Sequence, residues 1–227
     1  MEEMFCFQCQ QTAHNSGCEG RAGVCGKKSD TANYQDELTG ALIGLSRAVR
    51  KKLALNPDAS FEHADELILK GLFTTITNVN FFNDTIIELI HEVNVEKDRI
   101  YPDIMNYDVR HIWEDQEDIR SLKSLILFGL RGMAAYAYHA YALDYTDRNV
   151  LDFFYEGLEA IASEKSSDEL LALVLKTGEI NFRCMELLDH ANSGTYDNPV
   201  PTEVPLTIEK GPFIVVSGHD LHDMELL

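Results

Sequence analysis

The sequence contains no uninterrupted apolar run long enough to cross a lipid bilayer, which takes about 20 residues. The longest apolar zone runs from Leu125 to Leu143 and is interrupted by Arg131 and His139. The amino terminus also lacks the basic start and the apolar stretch of a secretion signal. We therefore expect a cytoplasmic protein with no membrane partner.

Basic residues are scarce, since 19 lysines and arginines face 38 aspartates and glutamates and the formal net charge is −19. A surface of this sign repels nucleic-acid phosphates over the Debye length, about 8 Å at physiological salt, so we expect no nucleic-acid partner. Proline is scarce too: 6 prolines, with 45% hydrophobic and 25% charged residues, make up an ordinary globular composition. Acidic faces keep helical proteins in solution and also suit a basic electron-transfer partner, so charge alone assigns no function.

Helical periodicity dominates residues 29–192, where apolar residues recur at steps of three and four. The pattern predicts two three-helix bundles, over about 29–99 and 117–192. Between them, residues 94–117 have a poor period and predict a connection with short helical turns. The predicted helices begin near residue 31, after a cap at Ser60, at Asn83 or Asp84, at Glu117, at Asp147 and after Ser166, which forms a capping box with Glu169.

The composition changes after residue 192, where three closely spaced prolines predict an extended linker over 193–211. The β-branched run that follows, 212–218, predicts a strand buried on both faces, as in a parallel sheet. We interpret 212–227 as the start of a truncated Rossmann-like α/β domain. The predicted fold class is therefore all-α, with a cysteine-rich loop over 1–28 and the first strand of a second domain at the carboxyl end.

Four of the five cysteines lie within the first 25 residues: Cys6, Cys9, Cys18 and Cys25. In a reducing compartment such a cluster indicates metal binding or catalysis and not disulfides. A CxxC pair followed by gaps of eight and six residues brings four thiolates together from one contiguous loop. An iron–sulfur cube needs such a set, with backbone N–H donors that a glycine-rich loop supplies.

Two neighbouring lysines, Lys27 and Lys28, would offset the negative charge of an all-thiolate cluster. Zinc is the alternative metal, although zinc ribbons usually present two CxxC pairs. The fifth cysteine, Cys184, lies in the middle of a predicted helix and is interpreted as a small buried hydrophobic residue. No set of histidines has metal-ligand spacing.

Two amino-terminal stretches read MFCFQCQQTAHNSGC and GVCGKKSDTANYQDEL, and they resemble the start of the hybrid cluster proteins, also called prismane proteins or hydroxylamine reductases. The similarity reappears in GLFTTITNVNF, EDIRSLKSLILFGLRGMAAYAYHA, LLDHANSGTYDNPVPTEV and GPFIVVSGHDLHDMELL. It covers nearly the whole chain, and only the stretch 94–116 is shorter than usual for the family.

The resemblance implies that Cys6, Cys9, Cys18 and Cys25 hold a cubane-type cluster at the base of a helical first domain. The compact spacing resembles the [4Fe–4S] type, with [2Fe–2S] as the alternative. It also implies a catalytic hybrid Fe–S–O cluster in following domains that this sequence lacks, so no catalytic residue is assigned here. The full-length protein would reduce hydroxylamine to ammonia, and also nitric oxide, with electrons from a donor protein.

The expected role of this chain is electron transfer to that missing centre. The alternative from a different class is a redox-inert structural or assembly module, either metal-free or zinc-bound. Association into a homo-oligomer is left open. His219 and Asp220, in the motif SGHDL, are interpreted as a turn histidine and a helix-capping aspartate without a ligand role.

Overall fold

The computed structural model describes residues 3–9, 11–76, 79–216 and 224–226. Most of these residues are helical, which confirms the predicted all-α class. A two-stranded antiparallel sheet precedes the helices, and the sequence pattern did not predict it. The strands are β1 (Met4–Cys6) and β2 (Cys18–Gly20), and the helices are α1 (Ser29–Leu55), α2 (Glu62–Thr74), α3 (Asn83–Ile100), α4 (Arg110–Glu114), α5 (Glu117–Ala142), α6 (Arg148–Ile161) and α7 (Ser167–Tyr196).

Side-chain caps begin two of the helices where the sequence predicts them. Asp147 accepts a hydrogen bond from the backbone N–H of Asn149 at the start of α6. Ser166 and Glu169 form the complete capping box of α7. The predicted cap at Ser60 is wrong, because α2 begins one residue later with the buried Phe61 at its N-cap position. Packing of that ring into the core, and not a side-chain hydrogen bond, sets the start of α2.

The segment predicted to connect the two bundles is partly helical. Helix α3 continues to Ile100, because Val93 and Ile100 are buried and extend its apolar face. Helix α4 is the short helical turn that was expected in this segment. Between them, the backbone N–H of Tyr107 donates to the carbonyl of Gly40 on α1 at 3.1 Å. A Cβ atom at Gly40 would collide with the Tyr107 carbonyl, so this close approach requires glycine.

The helices pack in two groups of three that share one hydrophobic core. Helices α1, α2 and α3 contact one another, as do α5, α6 and α7. The groups are joined where α1 packs on α6 and α2 packs on α5. Polar contacts also cross this junction; for example, Asp65 of α2 accepts hydrogen bonds from Arg148 and Tyr155 of α6. Among the described residues, no helix combines the length and the apolarity that crossing a membrane requires.

The described residues 197–216, which follow helix α7, lie on the surface. Helix α7 runs to Tyr196, four residues past its predicted end, and the extended segment begins at Asp197. The predicted buried strand is absent over the described residues 211–216, where Ile214 is 86% exposed. A strand needs a hydrogen-bonded neighbour, and the described part of the chain offers none there. The remainder of the predicted strand and the SGHDL motif, with His219 and Asp220, lie outside the described residues.

Candidate metal centre

The short sheet places two of the predicted ligand residues opposite each other. In the antiparallel register of β1 and β2, Cys6 pairs with Cys18, Phe5 with Glu19 and Met4 with Gly20. Directly paired residues project to the same face, with Cβ atoms about 4.5–5.5 Å apart. Residues twelve positions apart in the sequence therefore present two sulfur atoms to one side of the sheet.

Two turns bring the other two cysteines to that side. The carbonyl of Cys9 accepts the N–H of Thr12 at 3.3 Å, which closes a turn just after the CxxC pair. A second turn contains Cys25 and is closed by hydrogen bonds from Gly23 N–H to Lys27 O (2.8 Å) and from Gly26 N–H to Gly23 O (2.9 Å). Gly26 has φ = +85°, a left-handed conformation that favours glycine.

One pocket is lined by all four predicted cysteines, together with six neighbours from the same loop. Cys18 is buried, whereas Cys6, Cys9 and Cys25 are partly exposed, and all four are free thiols. The pocket is lined by Met4, Cys6, Cys9, Gln11, Thr12, Cys18, Gly23, Val24, Cys25 and Lys27. The fifth cysteine, Cys184, lies apart from it in the helical core, where its thiol faces the carbonyl of Met133 at 3.5 Å.

Four thiols can hold either of two kinds of metal group. Within the described ranges, no three histidine, cysteine, aspartate or glutamate side chains converge closely enough to hold a single ion. Tetrahedral zinc binds sulfur at about 2.3 Å, which places the sulfurs only about 3.8 Å from one another. In an iron–sulfur cluster each thiolate binds its own iron, so the four ligands surround a larger core. Four cysteine ligands are therefore chemically compatible with either kind of metal group.

Gly23 leaves space in this pocket that a side chain at its position would fill. A Cβ atom at Gly23 would lie 3.3 Å from Met4 Cε, 3.6 Å from Cys25 Sγ and 3.7 Å from Cys18 Cβ. It would therefore fill the space between two of the cysteines. One backbone donor also acts on a sulfur, since the N–H of Gln8 lowers the pKa of the Cys6 thiol. Both features fit a bulky anionic group held by thiolates.

The electrostatics of Cys6 reflect burial opposed by nearby cations. Burial raises the pKa of the Cys6 thiol, while the Gln8 N–H, Lys27 and Arg131 lower it. The Lys27 ammonium is 2% exposed and donates to the neutral amide of Gln35. Lys28, its neighbour in the sequence, is exposed. Of the two lysines predicted to compensate the cluster, only Lys27 lies in the pocket.

A second buried cation reaches this region from the central helix α5. The guanidinium of Arg131 donates from Nε to Thr75 Oγ1 (3.0 Å) and from Nη2 to Thr39 Oγ1 (2.9 Å). Burial lowers the pKa of Arg131 to about 10, so the group is still a cation at neutral pH. Its charge interacts with Asp36 and with Cys6.

The described surroundings of Cys6 thus hold more buried positive than negative charge. Lys27 and Arg131 are the cations, and Asp36 is the single carboxylate that interacts with both. Burial raises the pKa of Asp36 to about 6, and its Oδ1 accepts a hydrogen bond from Gln8 Nε2 at 2.8 Å. A local excess of positive charge in a chain of net charge −19 indicates a site for an anionic group. The spacing of the cysteines did not reveal Arg131 or Asp36, because both lie on helices outside the cysteine loop and only the fold brings their charges near Cys6.

Aromatic rings cover the loop on the side of helix α4. Trp113, the only tryptophan, lies 4.8 Å from the ring of Phe5 and 4.9 Å from that of Phe7, measured between centroids. Arg120 of α5 also stacks on the indole, with its Cζ 4.6 Å from the ring centroid of Trp113. Phe5 and Phe7 flank Cys6 in the sequence, so this aromatic cluster docks the first ligand-bearing segment onto the helical core.

The fold and the pocket define an all-α protein with a pocket lined by four free cysteines near its amino terminus. A family model described as the Prismane/CO dehydrogenase family matches residues 4–227. The chain belongs to the Prismane/CO dehydrogenase family. This membership confirms the resemblance that the N-terminal motifs carry.

Several curated proteins named hydroxylamine reductase align with nearly the whole chain. The protein of Methanocella arvoryzae is 40% identical over 255 residues, covering 99% of this chain and 46% of the relative. The protein of Desulfitobacterium hafniense is 38% identical over 250 residues, covering 98% of this chain and 45% of the relative. The protein of Thermodesulfovibrio yellowstonii is 40% identical over 252 residues, covering 99% of this chain and 46% of the relative. The chain therefore corresponds to the N-terminal portion of longer proteins and spans slightly less than half of their length.

Proposed function

We propose that Cys6, Cys9, Cys18 and Cys25 bind one [4Fe–4S] cluster and that this part of the protein transfers electrons. The observation that carries the proposal is the pocket itself, in which four free thiols meet beside an excess of buried positive charge. A [2Fe–2S] cluster is the alternative cofactor, since it takes the same number of cysteine ligands.

Several residues of the chain would hold such a group, each through a different interaction. The four thiolates would bind it, and the N–H of Gln8, which lowers the pKa of the Cys6 thiol, favours the thiolate form of that ligand. Lys27 supplies compensating charge from inside the pocket. The aromatic rings of Phe5 and Phe7 shield the inner side of the loop, while Cys9 and Cys25 are partly exposed. When bound, the cluster supplies reversible one-electron chemistry.

The exposed side of the loop is the entry point that we propose for electrons from a donor protein. In the complete protein they would continue to a hybrid cluster in the C-terminal portion that the longer relatives carry. There, hydroxylamine would take up two electrons and two protons to give ammonia and water, and nitric oxide is a further candidate substrate. A reducing cytoplasm is the compartment that suits four free thiols.

Metal and sulfide analysis of anaerobically reconstituted protein tests the proposal. We expect iron and acid-labile sulfide in equal amounts, a brown colour with broad visible absorption, and reversible bleaching on reduction. Zinc without sulfide would instead support a structural module. A cluster that binds but cannot be reduced reversibly would contradict the electron-transfer role.

Substitution of single cysteines tests the ligand assignment. Cys9→Ala should lose the cluster and the order of residues 1–28, because metal binding supplies much of the ordering free energy of such a loop. Cys184→Ala is the matched control, since this thiol lies in the helical core, and it should keep full iron content. If Cys9→Ala retained the complete visible spectrum, the assignment of Cys9 would be wrong.

A further inference from the structure

Arg131 occupies an unusual position for an arginine, at the middle of the central helix and 5% exposed. Two of its nitrogens donate to the hydroxyl oxygens of Thr39 and Thr75, and each hydroxyl donates in turn to a helix carbonyl at 2.8 Å. The third nitrogen, Nη1, is buried and has no hydrogen-bond partner among the described residues. The two threonines therefore hold the guanidinium in place without neutralising it.

A buried cation without a directly bonded carboxylate is costly, because its desolvation is not repaid by an ion pair. Arg131 has no salt bridge among the described residues, and its charge interacts with Asp36 and with Cys6. Asp36 interacts at the same time with Lys27 and bonds to Gln8 of the cysteine loop. Arg131 and Asp36 thus carry opposite charges that both act on Cys6, and Asp36 is also hydrogen-bonded to the loop through Gln8.

We propose that Arg131 is a positioning residue that raises the reduction potential of the centre held by the cysteine loop, and that Asp36 opposes it. This inference rests on the proposed function. Reduction adds one negative charge to the loop. A fixed cation stabilises that charge, and a fixed carboxylate destabilises it. The low dielectric of the buried region makes both effects larger than they would be in water.

Redox titration of reconstituted protein at pH 8 tests the inference. At this pH the carboxyl of Asp36, whose pKa burial raises to about 6, is ionised. Arg131→Met should shift the midpoint to lower potential, and Asp36→Asn should shift it to higher potential. Each shift should change the ratio of reduced to oxidised centre at a fixed applied potential by on the order of tenfold, as expected for one unit charge in a protein.

Two further variants separate charge from packing. Arg131→Lys keeps the charge and should remain closer to the wild-type potential than Arg131→Met. Arg148→Met removes an arginine that bonds to Asp65 and is not among the charges that act on Cys6, so it should leave the potential unchanged. Release of iron to a chelator provides a second readout, and it should be faster for Arg131→Met than for Arg131→Lys.

The outcomes distinguish this inference from the proposed function. If the wild type binds no iron, both are wrong. If the wild type titrates reversibly but neither Arg131→Met nor Asp36→Asn shifts the potential, only the role of Arg131 and Asp36 is overturned. If Arg131→Met does not fold, Asp36→Asn still decides, because an unchanged or lower potential in that variant would refute the inference.

Discussion

Trp113 is the residue whose replacement tests most directly how the cysteine loop is attached to the helices. Its indole contacts the rings of Phe5 and Phe7, on either side of Cys6, and it belongs to helix α4. The loop's own buried cluster is small and consists of Met4 and Cys18 together with Ala32 of helix α1. Trp113→Ala should therefore weaken the docking of the first strand without removing any ligand.

The magnitude follows from the two aromatic pairs that the substitution removes. An aromatic pair contributes about 0.5–1.5 kcal/mol beyond the area that it buries, so two pairs contribute about 2 kcal/mol. The stacking of Arg120 on the indole is not counted, because both residues lie on the helical side. A destabilisation of about 2 kcal/mol corresponds to roughly a 30-fold increase in the population of the undocked loop, since 1.4 kcal/mol is a factor of about ten.

Hydrogen exchange followed by mass spectrometry on reconstituted protein measures this population. The backbone amides of β1 should exchange about 30-fold faster in Trp113→Ala than in the wild type, while those of α5 should be unaffected. Trp113→Phe is the matched control and should give an intermediate rate, because a smaller ring keeps part of both contacts. Equal protection of β1 in all three proteins would show that the aromatic cluster does not dock the loop.

Two further predictions concern the helical core and the buried carboxylate. Gly71→Ala should lower the free energy of unfolding, measured by urea denaturation, by about 1–3 kcal/mol, because the new Cβ would lie 2.7 Å from Leu42 Cδ2. Gly132→Ala is the control, since a Cβ at Gly132 would have open space around it. This substitution should be neutral or should stabilise the protein by up to about 1 kcal/mol. Burial raises the pKa of Asp36 from 3.8 to about 6. Between these two pH values the unfolded chain releases the proton while the folded protein keeps it, so the fold loses stability as the pH rises from 3.8 to about 6. Asp36→Asn should therefore stabilise the metal-free protein by up to about 3 kcal/mol at pH 8 but little at pH 4. Equal effects of Gly71→Ala and Gly132→Ala on stability would refute the prediction for the helical core. A stability gain in Asp36→Asn that does not depend on pH would refute the prediction for Asp36.

Several features of this protein could be predicted from local sequence alone. The periodicity of apolar residues predicts the helices to within a few residues, because a helix buries one face and its period follows from backbone geometry. The capping box at Ser166 and Glu169 is confirmed for the same reason, since its hydrogen bonds join residues three apart. The four cysteines could be singled out as a set because they come from one contiguous loop.

Other features depend on contacts between distant segments. Phe61, and not the predicted Ser60, occupies the N-cap position of α2, and the burial of Phe61 depends on the neighbouring helices. The β-branched run at 212–216 reads as a strand, but it forms none in the described chain because strand pairing needs a partner.

The electrostatic surroundings of the pocket were decided by tertiary structure. Asp36 and Arg131 are 95 positions apart, and nothing in the spacing of either residue marks it as a neighbour of Cys6. Lys27 and Lys28 are equivalent in the sequence, yet the turn that carries Cys25 buries one and exposes the other. The sequence by itself determined which atoms can bind a metal, because ligand chemistry is a property of each side chain. Only the packing of the helices decided which charges surround those atoms, because burial and Coulomb interactions depend on distances in space.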